Sequence, residues 1–297
     1  MATITTISKG GVSAEISSVG AELTSLSLDG REYLWQADPA FWGKHAPVLF
    51  PIVGSLRNDE AQSAQGMCRM PRHGLARINE HRVAEVAEDG SSVTFEFAST
   101  PETLEAYPYN FKLNMTYAVT GEATLTQTFA VANTGDAPMP FSVGGHPAFN
   151  VPVPGSDDEA FEDYVIEFTQ PWTCEAPTIA EGGLLTFDES TTAVENTDKL
   201  PITHELFAND AIMLTNVPGN TLTLRGSKSG HGVRMDFPGF DFIGIWSASS
   251  EAPFVALEPW TGHASLTSED DVFEHKRNIT VIEPGETFEC AISMTLL

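Results

Sequence analysis

Positive charge is scarce in this sequence. Only 15 of its 297 residues are Lys or Arg, against 41 Asp or Glu, for a formal net charge of −26. A surface of that sign repels phosphate backbones and anionic lipid headgroups, so neither nucleic acid nor a membrane is an expected partner. The acidity speaks to solubility rather than to chemistry. Cysteine is scarce as well. Cys68, Cys174 and Cys290 are odd in number and widely spaced, which yields neither a disulfide framework nor a zinc spacing. No stretch approaches the roughly 18 apolar residues that a membrane-spanning helix requires. The first residues, MATITTISKGGVSAEISS, lack a basic stretch followed by an apolar one, so no signal peptide is expected and the cytoplasm is the default address. Also missing are a Gly-x-Ser-x-Gly elbow, a phosphate-cradling glycine loop with lysine, and a His-x-x-x-His metal pair. The eight histidines are scattered, and no metal site is expected.

Helical periodicity is nearly absent; PETLEAYPY is long enough for a turn or a short helix. What fills the chain is alternation. VSAEISSVGAELTSLSLDGREYLWQ reads as strand, strand and a turn at Asp29-Gly30. SSVTFEFAST, FKLNMTYAVTG, EATLTQTFAVANTG, DYVIEFT, TLTLRGS and NITVIEPGETFECAISMTLL alternate apolar and polar residues between turn residues. Many short strands with turn signals predict an all-β, layered sandwich. No linker or fixed-period repeat is visible, so one domain over residues 1–297 is expected. The acidic stretches Pro152 to Asp163 and Glu181 to Asp198 read as surface loops within it.

Four islands interrupt the alternation. The first is Pro71-Arg72-His73-Gly74-Leu75-Ala76-Arg77, inside a span that holds five of the nine arginines: Arg57, Arg69, Arg72, Arg77 and Arg82. Guanidinium forks suit hydroxyl-rich or anionic ligands, although each arginine alone reads as the partner of a surface acid. The second is Val143-Gly144-Gly145-His146-Pro147-Ala148-Phe149-Asn150. Its glycines admit close backbone approach, and the proline holds His146 extended at a strand end. Imidazole there can give or take a proton near neutrality. The third, Phe254 to His263, ends an apolar strand in Glu258-Pro259-Trp260. A carboxylate against apolar groups gains basicity through lost solvation. Trp246 and Trp260 would offer a flat platform for a ring, although each alone reads as core. The fourth island is Phe207 to Ile212, where Asp210, on its own, reads as a turn residue.

In this order the islands resemble the aldose 1-epimerase family, and specifically its LacX-type branch. The matching motifs are Leu-Phe-Pro-Ile-Val-Gly at 49–54, His-Gly-Leu-Ala-Arg at 73–77, Gly-Gly-His-Pro-Ala-Phe at 144–149 and Glu-Pro-Trp-Thr-Gly at 258–262. The resemblance implies a β-supersandwich of the galactose mutarotase type, with antiparallel sheets around a sugar-binding groove. It implies His146 as general acid, Glu258 as general base, and His73 and Asp210 as sugar-binding residues. The activity it implies is interconversion of α and β aldohexose anomers by ring opening and closure, without a cofactor. A small-molecule sugar is the expected partner, and a monomer or homodimer the expected assembly. The family carries an arginine directly after the glycine of its first motif, where this chain has Ser55. Arg77, and secondly Arg57, which would share a strand face with Ser55, are expected to supply the missing fork. Competing readings are a hexose-6-phosphate 1-epimerase, a non-catalytic carbohydrate-binding protein, and a glycoside hydrolase. The last needs two carboxylates flanking the bond, and only Glu258 stands out.

Overall fold

A computed structural model describes residues 2–248 and 251–297. It is built almost wholly from antiparallel strands. Among the described residues the one α-helix is Pro101–Ala106, at PETLEAYPY, started by Pro101 and a reciprocal capping box between Thr100 and Thr103. No helix among them is long and apolar enough to cross a membrane.

The largest sheet has nine strands. Its centre is Phe111–Val119, Thr124–Asn133 and Thr287–Leu296; the first two alternate buried and half-buried residues throughout, and the third does so from Cys290 onward. That period of two follows from a pleat with one face on the core and one toward water. A four-stranded sheet of residues 4–32 packs nearby, with the hairpin at Asp29-Gly30 where both residues take positive φ, as the sequence predicts. The buried Tyr117 hydroxyl is satisfied on both sides: it donates to the Ala21 carbonyl and accepts from Gln127.

The expectation of a loop over Glu181 to Asp198 is corrected. Most of that stretch belongs to a 17-residue strand, Leu185–Pro201, at the edge of the large sheet, paired with Tyr164–Ile179 through several register shifts. As an edge strand with Asp188, Glu189 and Glu195 turned to solvent, it is polar enough to read as loop. Its tip does not wave free. Leu185 N–H donates to the Ser265 carbonyl and the Leu185 carbonyl accepts from Thr267, which ties the hairpin end to the body.

A third sheet carries the site. Its order is Ile212–Thr215, Phe242–Trp246, Phe254–Trp260, Gly144–Gly145, Val48–Leu49, with Ala148–Asn150 also on Phe254–Trp260. Every residue of Phe254–Trp260 is buried. Val255 and Leu257 point into the main core. On the opposite face Phe254 and Ala256 join one small apolar cluster and Trp260 joins another. Glu258 lies on that face between them, at the gap where the two clusters part.

Candidate active site

The site follows from strand register. Gly144 pairs with Trp260 and Ala148 with Ala256, so the antiparallel register between them sets His146 opposite Glu258. Directly opposed residues project to the same face a few ångströms apart. His146 Nε2 is accordingly 3.2 Å from Glu258 Oε2. Gly144 makes this pairing possible: a Cβ there would stand 2.6 Å from the Pro259 carbonyl oxygen. Across the other edge of the same strand Glu258 faces Gly244, whose missing side chain makes room for the Trp260 indole: a Cβ there would stand 2.5 Å from that ring.

Both groups are nearly sealed from water, at 7% and 2% exposure. Burial pushes the His146 imidazole down to about 3, with Arg72 and Arg77 pushing the same way and Glu22 opposing. Burial pushes the Glu258 carboxyl well above the usual range; Arg72 pulls it back and the Asp210 charge adds to the rise. Each shift disfavours the charged form, so burial favours the couple with its proton on the carboxyl and the imidazole neutral.

The couple borders a cavity of about 530 Å³, within the roughly 300–1,000 Å³ typical of small-molecule sites. Trp42, His73, Trp246, Asp210, Arg72 and Arg77 also line it. His73, Trp246, Asp210 and Arg77 are thus brought together with His146 and Glu258 around one cavity. His73 lies in left-handed backbone (φ 69°), and so does Asp210 (φ 77°). Two non-glycine residues in that uncommon region on one cavity wall mark a conformation held for its side chains. The turn at His73 rests on Gly74, which passes so close to the Phe50 carbonyl that a Cβ would stand 2.5 Å from it. His73 Nδ1 accepts a hydrogen bond from the Gly54 amide at 3.2 Å. The ring proton therefore sits on Nε2, free to donate. Burial, then His146 and the two arginines, hold His73 neutral.

Arg57 is a correction. It stands outside this cavity, its Nε 3.0 Å from both carboxylate oxygens of Asp271 and its Nη2 on the carbonyls of Leu266 and Thr267. The strand periodicity that would align it with Ser55 does not hold, because the chain turns at once into Arg57–Asp59, with Asn58 in left-handed backbone. Arg72 is the arginine beside Ser55: a Cβ on Gly183 would stand 3.1 Å from Ser55 Oγ and 3.7 Å from Arg72 Nη1. Its Nη2 lies 3.7 Å from Asp210 Oδ2. Arg77 lines the same wall, half-buried, and its Nε has no hydrogen-bond partner.

Three contributors escape the sequence reading. Trp42 stacks on His146, ring centroids 4.8 Å apart at 25°. Arg72 belonged to a visible cluster with nothing to single it out. Gly183 and Leu185, from the stretch that reads as loop, and Ile179 just before it form the tip of the long hairpin and close one side of the cavity.

An antiparallel β-sandwich, one sheet of which carries a buried imidazole–carboxylate couple, is a mutarotase-like fold. The sequence profile described as aldose 1-epimerase matches residues 3–280. The chain is 38% identical to protein LacX, plasmid, of Lactococcus lactis subsp. lactis over 296 residues, 96% of this chain and 97% of that one. It superposes with a TM-score of 0.91 on the galactose mutarotase related enzyme of Lactobacillus acidophilus, at 32% identity over 99% and 97% of the two chains. A galactose mutarotase-like protein of Lactobacillus casei ATCC 334 gives 0.89 at 30% identity, covering 99% and 100%. This chain belongs to the aldose 1-epimerase family.

Proposed function

We propose that the protein interconverts the α and β anomers of an aldohexose, with His146 and Glu258 as the proton-handling couple. The observation that carries this reading is their 3.2 Å contact, in a buried cavity whose remaining polar groups are suited to hydroxyls. The proton on the Glu258 carboxyl passes to His146 Nε2, giving a carboxylate and an imidazolium. An entering sugar replaces the direct contact. The carboxylate then takes the proton from the C1 hydroxyl while Nε2–H gives one to the ring oxygen. The C1–O5 bond breaks, C1 becomes an aldehyde and turns about C1–C2, and closure on the other face returns both protons. A base and an acid with opposed duties are what this exchange needs. The His73 Nε2–H donates to a sugar hydroxyl, the Asp210 carboxylate accepts from one, and Trp246 presents a ring face beside them.

A second reading is favoured by the arginines. Arg72 and Arg77 line one wall in a chain of net charge −26, and the Arg77 Nε is unpartnered. Two guanidiniums so placed suit an anionic substituent, as on a hexose 6-phosphate. Both readings meet one experiment. Fresh α-anomers of glucose, galactose and their 6-phosphates are followed by polarimetry or NMR with and without protein. The expected result is faster equilibration of at least one aldose, unchanged by EDTA. No acceleration of any would leave a binding protein; a rate lost with EDTA and restored by metal would refute the cofactor-free exchange.

A further inference from the structure

We propose that Trp42 is a positioning residue for the proton couple, its indole face steadying His146 and favouring the imidazolium that the couple must form; this rests on the anomer-exchange reading. The geometry is specific. Trp42 lies face-on to His146, while Trp246 and His73 meet the imidazole edge-on, at 5.6 Å with 83° and 5.8 Å with 87°. One flat contact and two perpendicular ones leave the ring a single seat, with Nε2 toward Glu258. The Trp42 loop is itself fastened. Its amide and that of Phe41 donate to the Asp38 carbonyl, the Trp42 carbonyl accepts from Trp35 Nε1 at 2.8 Å, and Phe254 stacks beneath the indole. Farther along, the His45 and Ala46 amides both donate to the buried Glu22 carboxylate.

The charges around His146 explain why it needs such a partner. Arg72 and Arg77 oppose an imidazolium, and neutral His73 contributes no countercharge. Glu22 favours it from a distance, and Glu258 does so only once its own proton has left. A cation over an indole face within about 6 Å of its centroid is stabilised by the ring quadrupole, most strongly where water is excluded. That attraction acts on the imidazolium and not on the neutral ring. Passing the proton from Glu258 to His146 leaves the couple's net charge unchanged, so Trp42 biases where the proton sits rather than how many are bound.

The test compares Trp42→Leu and Trp42→Phe with the unaltered protein, using galactose and glucose as probes. Leu keeps an apolar side chain without a π face and is expected to lower kcat about tenfold with KM within about twofold; Phe is expected to restore most of kcat. The His146 ring proton and nitrogen signals in NMR, which need no turnover, should shift on Trp42→Leu as the indole's ring current disappears. With galactose bound they should move toward the neutral-ring pattern. A raised KM at unchanged kcat would make Trp42 a sugar platform and overturn the proposal. So would His146 signals that are the same with and without the indole. If the unaltered protein turns over neither sugar, it is the anomer-exchange reading that fails, and the NMR comparison of the free proteins still judges the stacking.

Discussion

Replacing Glu258 by Gln should abolish most activity and change the way stability depends on pH. The second effect can be worked out by counting protons. In the folded protein the couple binds one proton, because burial holds Glu258 protonated and His146 neutral down to about 3. In the unfolded chain the same residues titrate near their ordinary values of 4.5 and 6.5. The unfolded chain therefore binds two protons below 4.5, one between 4.5 and 6.5, and none above. Stability contributed by the couple rises with pH up to about 4.5, is level to about 6.5, then falls as the folded state keeps a proton that the unfolded chain has released. The raised carboxyl thus stabilises at low pH and is a burden at high pH. Gln does not titrate, so the stability of the variant relative to the parent should grow by about 1.4 kcal/mol per pH unit above 4.5, until Glu258 ionises in the parent. Urea titrations of both proteins at several pH values between 4 and 9 measure it. The same substitution should cut the anomerisation rate about 10²–10⁴-fold, since it keeps size and hydrogen bonding but removes the base. A stability difference that does not vary with pH would refute the account of the couple's protonation. More than half the activity surviving would remove Glu258 from the base's role.

Between roughly pH 5 and 7, kcat/KM should be level, because free-enzyme His146 titrates near 3 rather than 6.5; an acidic limb centred near 6.5 would show the imidazole to be solvated and charged at rest. Arg77→Met should lower kcat/KM roughly ten- to hundred-fold through one lost charged hydrogen bond to substrate. Arg57→Met should leave turnover as it is and lower stability by about 1–2 kcal/mol, since it loses the half-exposed pair with Asp271 and the bonds to the Leu266 and Thr267 carbonyls. Steady-state kinetics beside thermal melts read both, and equal rates for the Arg77 variant and the parent would take Arg77 out of substrate binding.

The central strands were legible because one face of each is wet, and a half-wet strand writes its pleat into the sequence, as Phe111–Val119 does. Leu185–Pro201 was not, since a charged edge strand and a loop share a composition. Within the site, His146 and Glu258 each announced themselves by a following proline, although the strand that carries Glu258 runs on through Pro259 to Trp260 instead of ending there. Their partnership did not, because register between residues 112 positions apart is a tertiary fact. Arg57 shows the reverse failure: a period-of-two argument applied one residue past the end of extended backbone. Trp42 has no motif of its own, and only the folded loop shows that it covers an imidazole as well as packing on Phe254.

The register that joins the couple also explains why it lies so dry. A strand buried on both faces has no solvent side on which to place a carboxylate. Phe254, Ala256 and Trp260 on the same face as Glu258 are committed to two separate apolar clusters. The only polar position on that face is the seam between them, and the cavity opens there. At such a seam a lone carboxylate would simply stay protonated, and a lone histidine would stay neutral. Set opposite each other, each becomes the place where the other's proton can go, and charge separation between them needs no water. Burial that would silence either group alone is therefore what makes the two useful together. It also fixes where sensitivity lies: a one-residue slip of Ala148–Asn150 against Phe254–Trp260 would turn His146 to the far face without altering either functional side chain. Gly144, with no room for a Cβ against the Pro259 carbonyl, and the Leu257 amide bonded to the Pro147 carbonyl at 2.9 Å hold that register in place.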